Sequence, residues 1–316
     1  MPPATPFARV PGLRGSTASG FSEDEERYLM PMLLCLGMGY SAAVLGHRLR
    51  RDGWRVGGTC RSEEKADRLR TAGFDMAVFD GSEPAASLAA MIAEASHLLV
   101  SIPPDRVGDA VLRHHVADLR AAPGLQWAGY LSTIGVYGDR HGAWIDENTP
   151  PDPLHETSRW RLSAEGEWLG FGKDARLPIA VFRLPGIYGP GRSQFDALRE
   201  GRAHRIIKTG QVFNRIHVED LAGILAAAIA KGSEGLYNVA DDEPSPAEDV
   251  VVLAAAMLGI EPPPEIAFEA AQLSPFARSF YAECKRVRND RMKDALGVGL
   301  RYPTYREGLA AILGAE

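Results

Sequence analysis

Several features are scarce in this sequence, and each absence excludes a class of protein. Its 316 residues include 3 cysteines, Cys35, Cys60 and Cys284, which are odd in number and far apart, so neither a disulfide framework nor paired metal ligands are expected. The longest apolar stretch, Val250 to Ile260, is shorter than the roughly 18 residues that cross a bilayer. The net charge of −6 lacks the basic excess of a nucleic-acid binder. We therefore expect a cytoplasmic protein with reduced thiols and no metal, membrane or nucleic-acid partner.

The first 31 residues are not expected to belong to the fold. They are rich in proline and glycine and include an acidic run, Glu23 to Glu26. They lack the apolar core of a signal peptide, and acidic residues are atypical of a transit peptide. Such a segment buries too little surface to offset its ordering entropy. The interpretation is a disordered tail or a misassigned start, with translation beginning at Met30 or Met32.

Beyond this segment, predicted strands alternate with predicted helices. The strands are predicted at 32–36, 54–59, 74–79, 97–102, 127–132 and 179–183, and the helices between them at 41–51, 63–72, 84–95, 105–120 and 156–171. Strands separated by helices of this length are typical of βαβ units. Right-handed crossovers then place helices on both faces of the sheet. The predicted fold class is α/β, with a doubly wound parallel sheet.

A glycine-rich turn between the first strand and the first helix predicts a dinucleotide site. The sequence Gly37-Met-Gly39-Tyr40-Ser41-Ala42 has the form G-x-G-x-x-A. Gly37 allows a tight turn, and Gly39 lets the backbone approach a pyrophosphate. Tyr40, Ser41 and Ala42 open the helix, whose N-terminus favours an anion. A glycine-rich turn without a ligand is the alternative, which the position after the first strand disfavours.

The ends of the next strands indicate which cofactor binds. An NAD site usually has an acidic residue after the second strand, whereas this chain has Arg61 and Ser62, which suit a 2′-phosphate. NADP is therefore favoured over NAD, although Arg61 can also be a solvated loop residue. Asp80 ends the third strand and can accept a hydrogen bond from the adenine amino group. Ile102 and Pro103 end the fourth strand, and we expect them beside the nicotinamide half.

Further motifs resemble a known family. They occupy Leu131–Asp139, Phe182–Gly191, Asn214–Asp220 and Tyr237–Pro244. Together with the glycine turn, these segments resemble the extended short-chain dehydrogenase/reductases, the group of nucleotide-sugar epimerases and dehydratases. The resemblance runs from Met32 to the C-terminus. It implies a Rossmann domain (32–183 and 213–242) and a smaller, discontinuous C-terminal substrate domain (184–212 and 243–316).

The same resemblance implies catalytic roles, and here the sequence departs from the family. Thr133 matches the residue that binds the reacting oxygen. The family's Tyr-x-x-x-Lys pair falls on Thr157 and Arg161. A threonine hydroxyl is far too weak an acid to replace a phenol. Arg161 can still donate to ribose hydroxyls, but it stays charged and relays protons poorly.

Three residues are therefore candidate proton donors, each with a structural alternative. Tyr137 and Tyr188 lie in motifs placed near the cleft, and for both we rate packing and backbone hydrogen bonding above catalysis. His217 precedes a predicted helix, so a capping role is favoured there. Pro185, in the motif that closes the sixth strand, is expected to contact the cofactor.

Two functions and one substrate type follow from these observations. The first function is NADP-dependent hydride transfer on a carbonyl or sugar-like substrate, and the alternative is a non-catalytic NADP-binding redox sensor or regulatory protein.

A group of basic residues can contact an anionic substrate or form a solvated face. Its members are Arg192, Arg199, Arg202, His204, Arg205 and Lys208, with Arg278, Lys285, Arg286 and Arg288 near Tyr281 as possible additions. The resemblance also implies possible homodimerisation.

Overall fold

A seven-stranded parallel sheet forms the centre of the computed structural model, which describes residues 30–315. Its strands are β1 (Met32–Leu36), β2 (Arg55–Cys60), β3 (Asp75–Val78), β4 (His97–Val100), β5 (Trp127–Thr133), β7 (Ile179–Leu184) and β11 (Gly235–Asn238). Their order across the sheet is β11-β7-β5-β4-β1-β2-β3. The chain adds β2 and β3 on one side of β1 and the later strands on the other, as in a doubly wound Rossmann sheet. The predicted fold class is confirmed. Residues 1–29 of the predicted tail lie outside the described residues.

Helices connect the strands and continue into the C-terminal region. They are α1 (Tyr40–Arg51), α2 (Glu63–Thr71), α3 (Ala86–Glu94), α4 (Ala110–Ala121), α5 (Glu156–Ala175), α6 (Gln194–Arg199), α7 (Val218–Lys231), α8 (Ala247–Leu258), α9 (Pro275–Ser279), α10 (Asp290–Leu296) and α11 (Tyr305–Gly314). Within the described residues, no helix is long and apolar enough to span a membrane.

The start of α4 differs from its prediction, which placed it at residue 105. Asp105 and Gly108 instead form a bridged turn. Asp109 then caps the helix, because its Oδ1 accepts hydrogen bonds from the backbone N–H groups of Val111 (2.9 Å) and Leu112 (3.0 Å). The cap fixes where the helix begins, and the sequence pattern alone did not distinguish Asp105 from Asp109.

The sheet is buried on both faces because successive residues of a strand point to opposite sides. In β1, Leu33 and Cys35 belong to the core beneath α1 and α7, whereas Leu34 and Leu36 belong to the core beneath α3, α4 and α5. All five residues of β1 are buried. A continuous apolar run was therefore the correct signal for this central strand.

Three short parallel strand pairs lie outside the central sheet. They are β8 (Gly186–Tyr188) with β10 (Arg215–His217), β9 (Arg205–Ile207) with β12 (Glu265–Ala267), and β6 (Trp144–Ile145) with β13 (Arg286–Val287). A separate apolar core containing Phe195, Val250, Tyr305 and Leu309 joins α6, α8 and α11. The β6–β13 pair holds the C-terminal segment against the loop that follows β5.

Asp241, which follows β11, is expected to make stability depend on pH. It is 1% exposed, and its Oδ2 has no hydrogen-bond partner within the described residues. Burial raises the pKa of this carboxyl from 3.8 to about 8, although the Arg215 guanidinium opposes the rise. Between these two pKa values, the carboxyl of Asp241 keeps its proton in the folded chain and loses it in the unfolded chain. The free energy of unfolding should therefore fall as the pH rises from the lower pKa to the higher one.

Asp241→Asn should remove this pH-dependent component. The free energy of unfolding of the variant minus that of the parent protein should be about 2–4 kcal/mol higher at roughly pH 8 than at roughly pH 5. Urea unfolding at the two pH values measures the difference. An equal difference at both pH values would show that Asp241 titrates normally in the folded chain.

Candidate dinucleotide and substrate site

The candidate site lies along one edge of the central sheet. Because all seven strands are parallel, their carboxyl ends meet at the same edge. The registers place Leu36 opposite Val100 and Thr133 opposite Leu184. The segments that sequence analysis selected after each strand therefore converge here.

The turn after β1 has the backbone form expected of a phosphate loop. Gly37 has φ = +99°, and a Cβ there would lie 3.1 Å from the backbone nitrogen and side chain of Ile102, so a larger residue would be strained and crowded. The Gly37 N–H donates to Thr59 Oγ1 at 2.8 Å, which ties the turn to β2. A Cβ on Gly39 would meet no atom within 4 Å. The space in front of Gly39 is therefore open.

Gly39 is the N-cap of α1, and no side chain makes a cap hydrogen bond at this helix start. Ser41 and Ala42 are buried against the sheet, as close helix–sheet packing requires. Tyr40 turns away, and its hydroxyl donates to the Pro190 carbonyl at 3.0 Å. Burial raises the pKa of Tyr40 to about 12, so its hydroxyl stays protonated near neutral pH.

The residues predicted to select the cofactor lie at the neighbouring strand ends. Arg61 is exposed directly after β2 and has no hydrogen bond or ion pair with another residue of 30–315. Ser62 caps α2 by accepting from the Lys65 N–H at 3.4 Å. Asp80 is exposed, and its Oδ1 accepts from the Ser82 hydroxyl at 2.6 Å. This hydrogen bond lowers the pKa of Asp80, so a carboxylate is available to an adenine amino group.

Thr133 lies at the centre of this edge. It is half-buried, and its Oγ1 accepts from the Gly135 N–H at 3.0 Å, which leaves the hydroxyl proton free to donate. Its register partner Leu184 precedes Pro185, so Pro185 is brought beside Thr133. Ile102 packs against Gly37, and Pro103 follows at the exposed rim.

The positions of the family's Tyr-x-x-x-Lys pair lie in the first turns of α5. Thr157 is exposed. Arg161 donates from Nη1 to the Leu131 carbonyl at 2.7 Å, and its guanidinium lies 5.9 Å from the centre of the Tyr130 ring. Arg161 is therefore anchored to the backbone of β5, two residues before Thr133, and its remaining N–H groups are free to bind ribose.

The Tyr137 and Tyr188 hydroxyls both donate to residues other than Thr133. Tyr137 is 0% exposed, and its hydroxyl donates to Asn238 Oδ1 at 2.8 Å. Tyr188 donates to the Thr304 carbonyl at 3.4 Å, against α11. Burial raises the pKa of both tyrosines, which further disfavours proton release. Both side chains have packing roles here, the alternative already rated above catalysis.

His217 caps α7, as its position before the helix suggested. Its Nδ1 accepts from the Glu219 N–H at 3.2 Å, and its ring packs 4.2 Å from that of Tyr302. Burial, with a smaller effect of Arg301, lowers its pKa to about 4. The imidazole is therefore neutral at physiological pH.

Sequence reasoning missed a buried ionic network beneath Thr133. Arg183 and Glu165 are each 3% exposed and pair through two hydrogen bonds of 3.1 and 2.7 Å. The Ser132 hydroxyl donates to the same carboxylate at 2.5 Å. The arginine guanidinium also lies 4.7 Å from the centre of the Tyr137 ring. The sequence did contain one indication of this network, because Arg183 interrupts the otherwise apolar run of β7 and a buried arginine needs an acidic partner.

A second missed group surrounds the start of α5. His155 caps this helix, and its Nε2 lies 3.7 Å from Glu283 Oε1. Neither atom has a hydrogen-bond partner within the described residues. Lys285 Nζ donates to Glu283 Oε2 at 2.5 Å, and burial lowers the pKa of this lysine. The group joins segments 128 residues apart in sequence (283 − 155 = 128), which no local pattern can reveal.

These observations fit a dinucleotide-binding turn. The open space before Gly39 and the lack of a side-chain cap hydrogen bond at the start of α1 suit a pyrophosphate. Within residues 30–315, no three His, Cys, Asp or Glu side chains are grouped so that they can hold a metal.

Comparisons with known proteins agree with this description. No family model matches the chain. A structure of a functionally unknown conserved protein from Silicibacter pomeroyi DSS is 47% identical, with a TM-score of 0.81, and the match covers 90% of this chain and 99% of that one. A structure described as an NAD-dependent epimerase/dehydratase from Methylobacillus flagellatus is 28% identical, with a TM-score of 0.70 and coverage of 91% and 98%.

A curated relative is similar over a shorter stretch. The 3-diazoavenalumate denitrifying reductase of a Streptomyces species is 32% identical over 178 residues, 52% of this chain. The match spans 58% of the length of that reductase, which is less than two thirds.

Proposed function

The chain belongs to the extended short-chain dehydrogenase/reductases, among their NAD-dependent epimerase/dehydratase-like members, and we propose that it is an NADP-dependent oxidoreductase. The reaction is hydride transfer at a carbonyl or alcohol carbon of a small substrate. The observation that carries the proposal is the turn from Gly37 to Gly39, with its open space at the start of α1. The names of two relatives, a reductase and an NAD-dependent epimerase/dehydratase, support redox chemistry with a nicotinamide cofactor.

In this proposal, residues at the strand ends hold the cofactor. Backbone N–H groups at the start of α1 bind the pyrophosphate, with Gly39 allowing close approach. Arg61 and Ser62 bind the 2′-phosphate, Asp80 accepts from the adenine amino group, and Arg161 donates to ribose hydroxyls. When bound, the cofactor supplies the hydride.

Thr133 holds the reacting oxygen by donating its hydroxyl proton. We place the accompanying proton exchange at His155 and Glu283, because the Tyr137 and Tyr188 hydroxyls already donate elsewhere. The His155 imidazole lies 3.7 Å from the Glu283 carboxylate, and an imidazole is a common general acid/base. A pH–rate profile that keeps its apparent pKa values in His155→Gln would remove this pair from the mechanism.

Arg61→Ala should reveal the cofactor preference. Loss of one charge-assisted pair to the 2′-phosphate is expected to weaken NADPH binding about tenfold or more while leaving NADH binding unchanged. Fluorescence titration of both cofactors measures the two dissociation constants. Arg68→Ala, an exposed arginine of α2 that faces Glu64 at 3.9 Å, is the matched control. Unchanged NADPH affinity in Arg61→Ala would contradict the NADP assignment.

A non-catalytic NADP-binding sensor is the second candidate. The observation that favours it is the exposed Thr157 at the position of the family's catalytic tyrosine. A sensor binds NADPH without oxidising it. Transfer of deuterium from C4-deuterated NADPH to any carbonyl compound would exclude the sensor.

A further inference from the structure

Two short parallel strands outside the central sheet end side by side and bring cations to an aromatic ring. β9 and β12 pair with Ile207 opposite Ala267, so the following residues, Lys208 and Phe268, leave the same edge. Lys208 Nζ lies 5.1 Å from the centre of the Phe268 ring. The guanidinium carbon of Arg278 lies 4.9 Å from the same centre.

Further aromatic rings extend this contact. The Phe268 and Tyr281 ring centres are 5.0 Å apart, and those of Tyr281 and Phe213 are 5.1 Å apart. We call Phe213, Phe268 and Tyr281, together with Lys208 and Arg278, the aromatic cluster. This set combines three aromatic rings with two cations that lie over the Phe268 ring.

Two more phenylalanines stand beside the aromatic cluster in the open. Phe276 is 74% exposed and Phe280 is 55% exposed, and their ring centres are 4.9 Å apart. A single exposed apolar residue needs no explanation, but adjacent exposed rings indicate a binding surface. Both belong to the segment that carries Arg278 and Tyr281.

The two cations of the aromatic cluster have no carboxylate partner within residues 30–315. Lys208 donates to the Tyr281 carbonyl and to Gln211 Oε1 at 3.1 Å. Arg278 donates from Nη2 to the Ala271 carbonyl at 2.8 Å. These bonds fix the two side chains but leave their charges uncompensated and several N–H groups unused.

Two other members of the predicted basic group already have carboxylate partners. Arg205 pairs with Glu265 at 2.8 Å, and Arg202 pairs with Glu200. Arg202 and Arg205 are therefore less available to an anionic substrate than Lys208 and Arg278 are. Lys208 and Arg278 keep uncompensated positive charge within the aromatic cluster.

Gln211, which accepts from Lys208, begins a chain of contacts from the aromatic cluster to the candidate active site. Gln211 Nε2 donates to the Glu283 carbonyl at 2.7 Å. The next residue, Cys284, donates its N–H to Asp139 Oδ1 at 2.7 Å. Asp139 belongs to the loop that leaves the carboxyl end of β5 after Thr133. The segment bearing Phe268 and Tyr281 thus runs to the edge where the hydride site is proposed.

We propose that the aromatic cluster is the substrate subsite and that it takes a planar aromatic carboxylate rather than a nucleotide sugar, an inference that rests on the proposed function. The substrate ring packs against Tyr281 and the edge of the Phe268 ring, because Lys208 and Arg278 lie over the Phe268 face. Its carboxylate pairs with Lys208 and Arg278, whose unused donors provide charge-assisted hydrogen bonds.

Calorimetric titration of the NADPH-saturated full chain with trans-cinnamate tests this assignment. Cinnamate should bind, and UDP-glucose should not. Cinnamyl alcohol lacks the carboxylate and should bind at least about tenfold more weakly than cinnamate. Arg278→Gln and Phe268→Leu should each weaken cinnamate binding about tenfold. Arg288→Gln is the matched control, because Arg288 is another exposed arginine, 5.4 Å from the centre of the Trp144 ring but outside the aromatic cluster.

Three results would overturn the assignment. They are UDP-glucose binding without cinnamate binding, no binding of cinnamate to the parent protein, and equal cinnamate affinities in Arg278→Gln and Arg288→Gln. The NADPH affinity is measured in the same preparations. Intact NADPH binding with no cinnamate binding contradicts only the substrate class, whereas absent NADPH binding contradicts the proposed function. In that case, titration of the cofactor-free chain with cinnamate still decides the subsite.

Discussion

Replacing Gly39 with valine is expected to lower NADPH affinity by about 100-fold or more. Gly39 has an extended backbone (φ −97°, ψ −166°) that valine also adopts, and its added Cβ would meet no protein atom within 4 Å. The new side chain would fill the space through which a pyrophosphate approaches the start of α1. Thermal unfolding should change little, since a helix cap of this kind contributes about 1 kcal/mol at most.

Gly166→Val is the matched control for this variant. Gly166 also faces open space, but on the outer side of α5. The Gly166→Val variant should bind NADPH with the affinity of the parent protein, as measured by the same fluorescence titration. If Gly39→Val binds NADPH with unchanged affinity, the pyrophosphate does not lie at this turn.

Replacing Arg183 with methionine is expected to destabilise the protein by about 3–5 kcal/mol. The variant leaves the Glu165 carboxylate buried at 3% exposure without its counter-ion. It also removes the cation that lies over the Tyr137 ring. Urea unfolding at neutral pH measures the loss.

The exposed pair of Arg205 and Glu265 supplies the control for this experiment. Its side chains are 27% and 61% exposed, so Arg205→Met should cost about 1 kcal/mol or less. The double variant Arg183→Met/Glu165→Leu should recover part of the loss, because no charge then stays buried alone. Equal costs for Arg183→Met and Arg205→Met would show that the buried pair contributes no more than a surface one.

Local patterns predicted the fold because the central strands of the sheet are buried on both sides. The apolar run from Met32 to Leu36 and the glycines that follow it specify a strand, a tight turn and a helix within one short stretch. Parallel pairing then brings the strand ends to one edge without further information. The positions of Gly37, Gly39 and Arg61 relative to the sheet followed from this rule alone.

The parts that escaped prediction depend on contacts between distant segments. Tyr137 lies within one of the motifs that resemble the family, but its hydroxyl donates to Asn238 on β11. Tyr188 is likewise held by the Thr304 carbonyl before α11. The partnership of His155 with Glu283 has no local signal at all. Which hydroxyl is free and which is buried is a property of packing, which sequence spacing does not contain.

The crystal structure of the NADPH complex is the measurement that tests the central claim most directly. The account predicts the pyrophosphate in front of Gly39 at the start of α1, the 2′-phosphate at Arg61 and the nicotinamide beside Thr133. NADPH bound away from the β1–α1 turn, or no NADPH in crystals grown at saturating concentration, would contradict it.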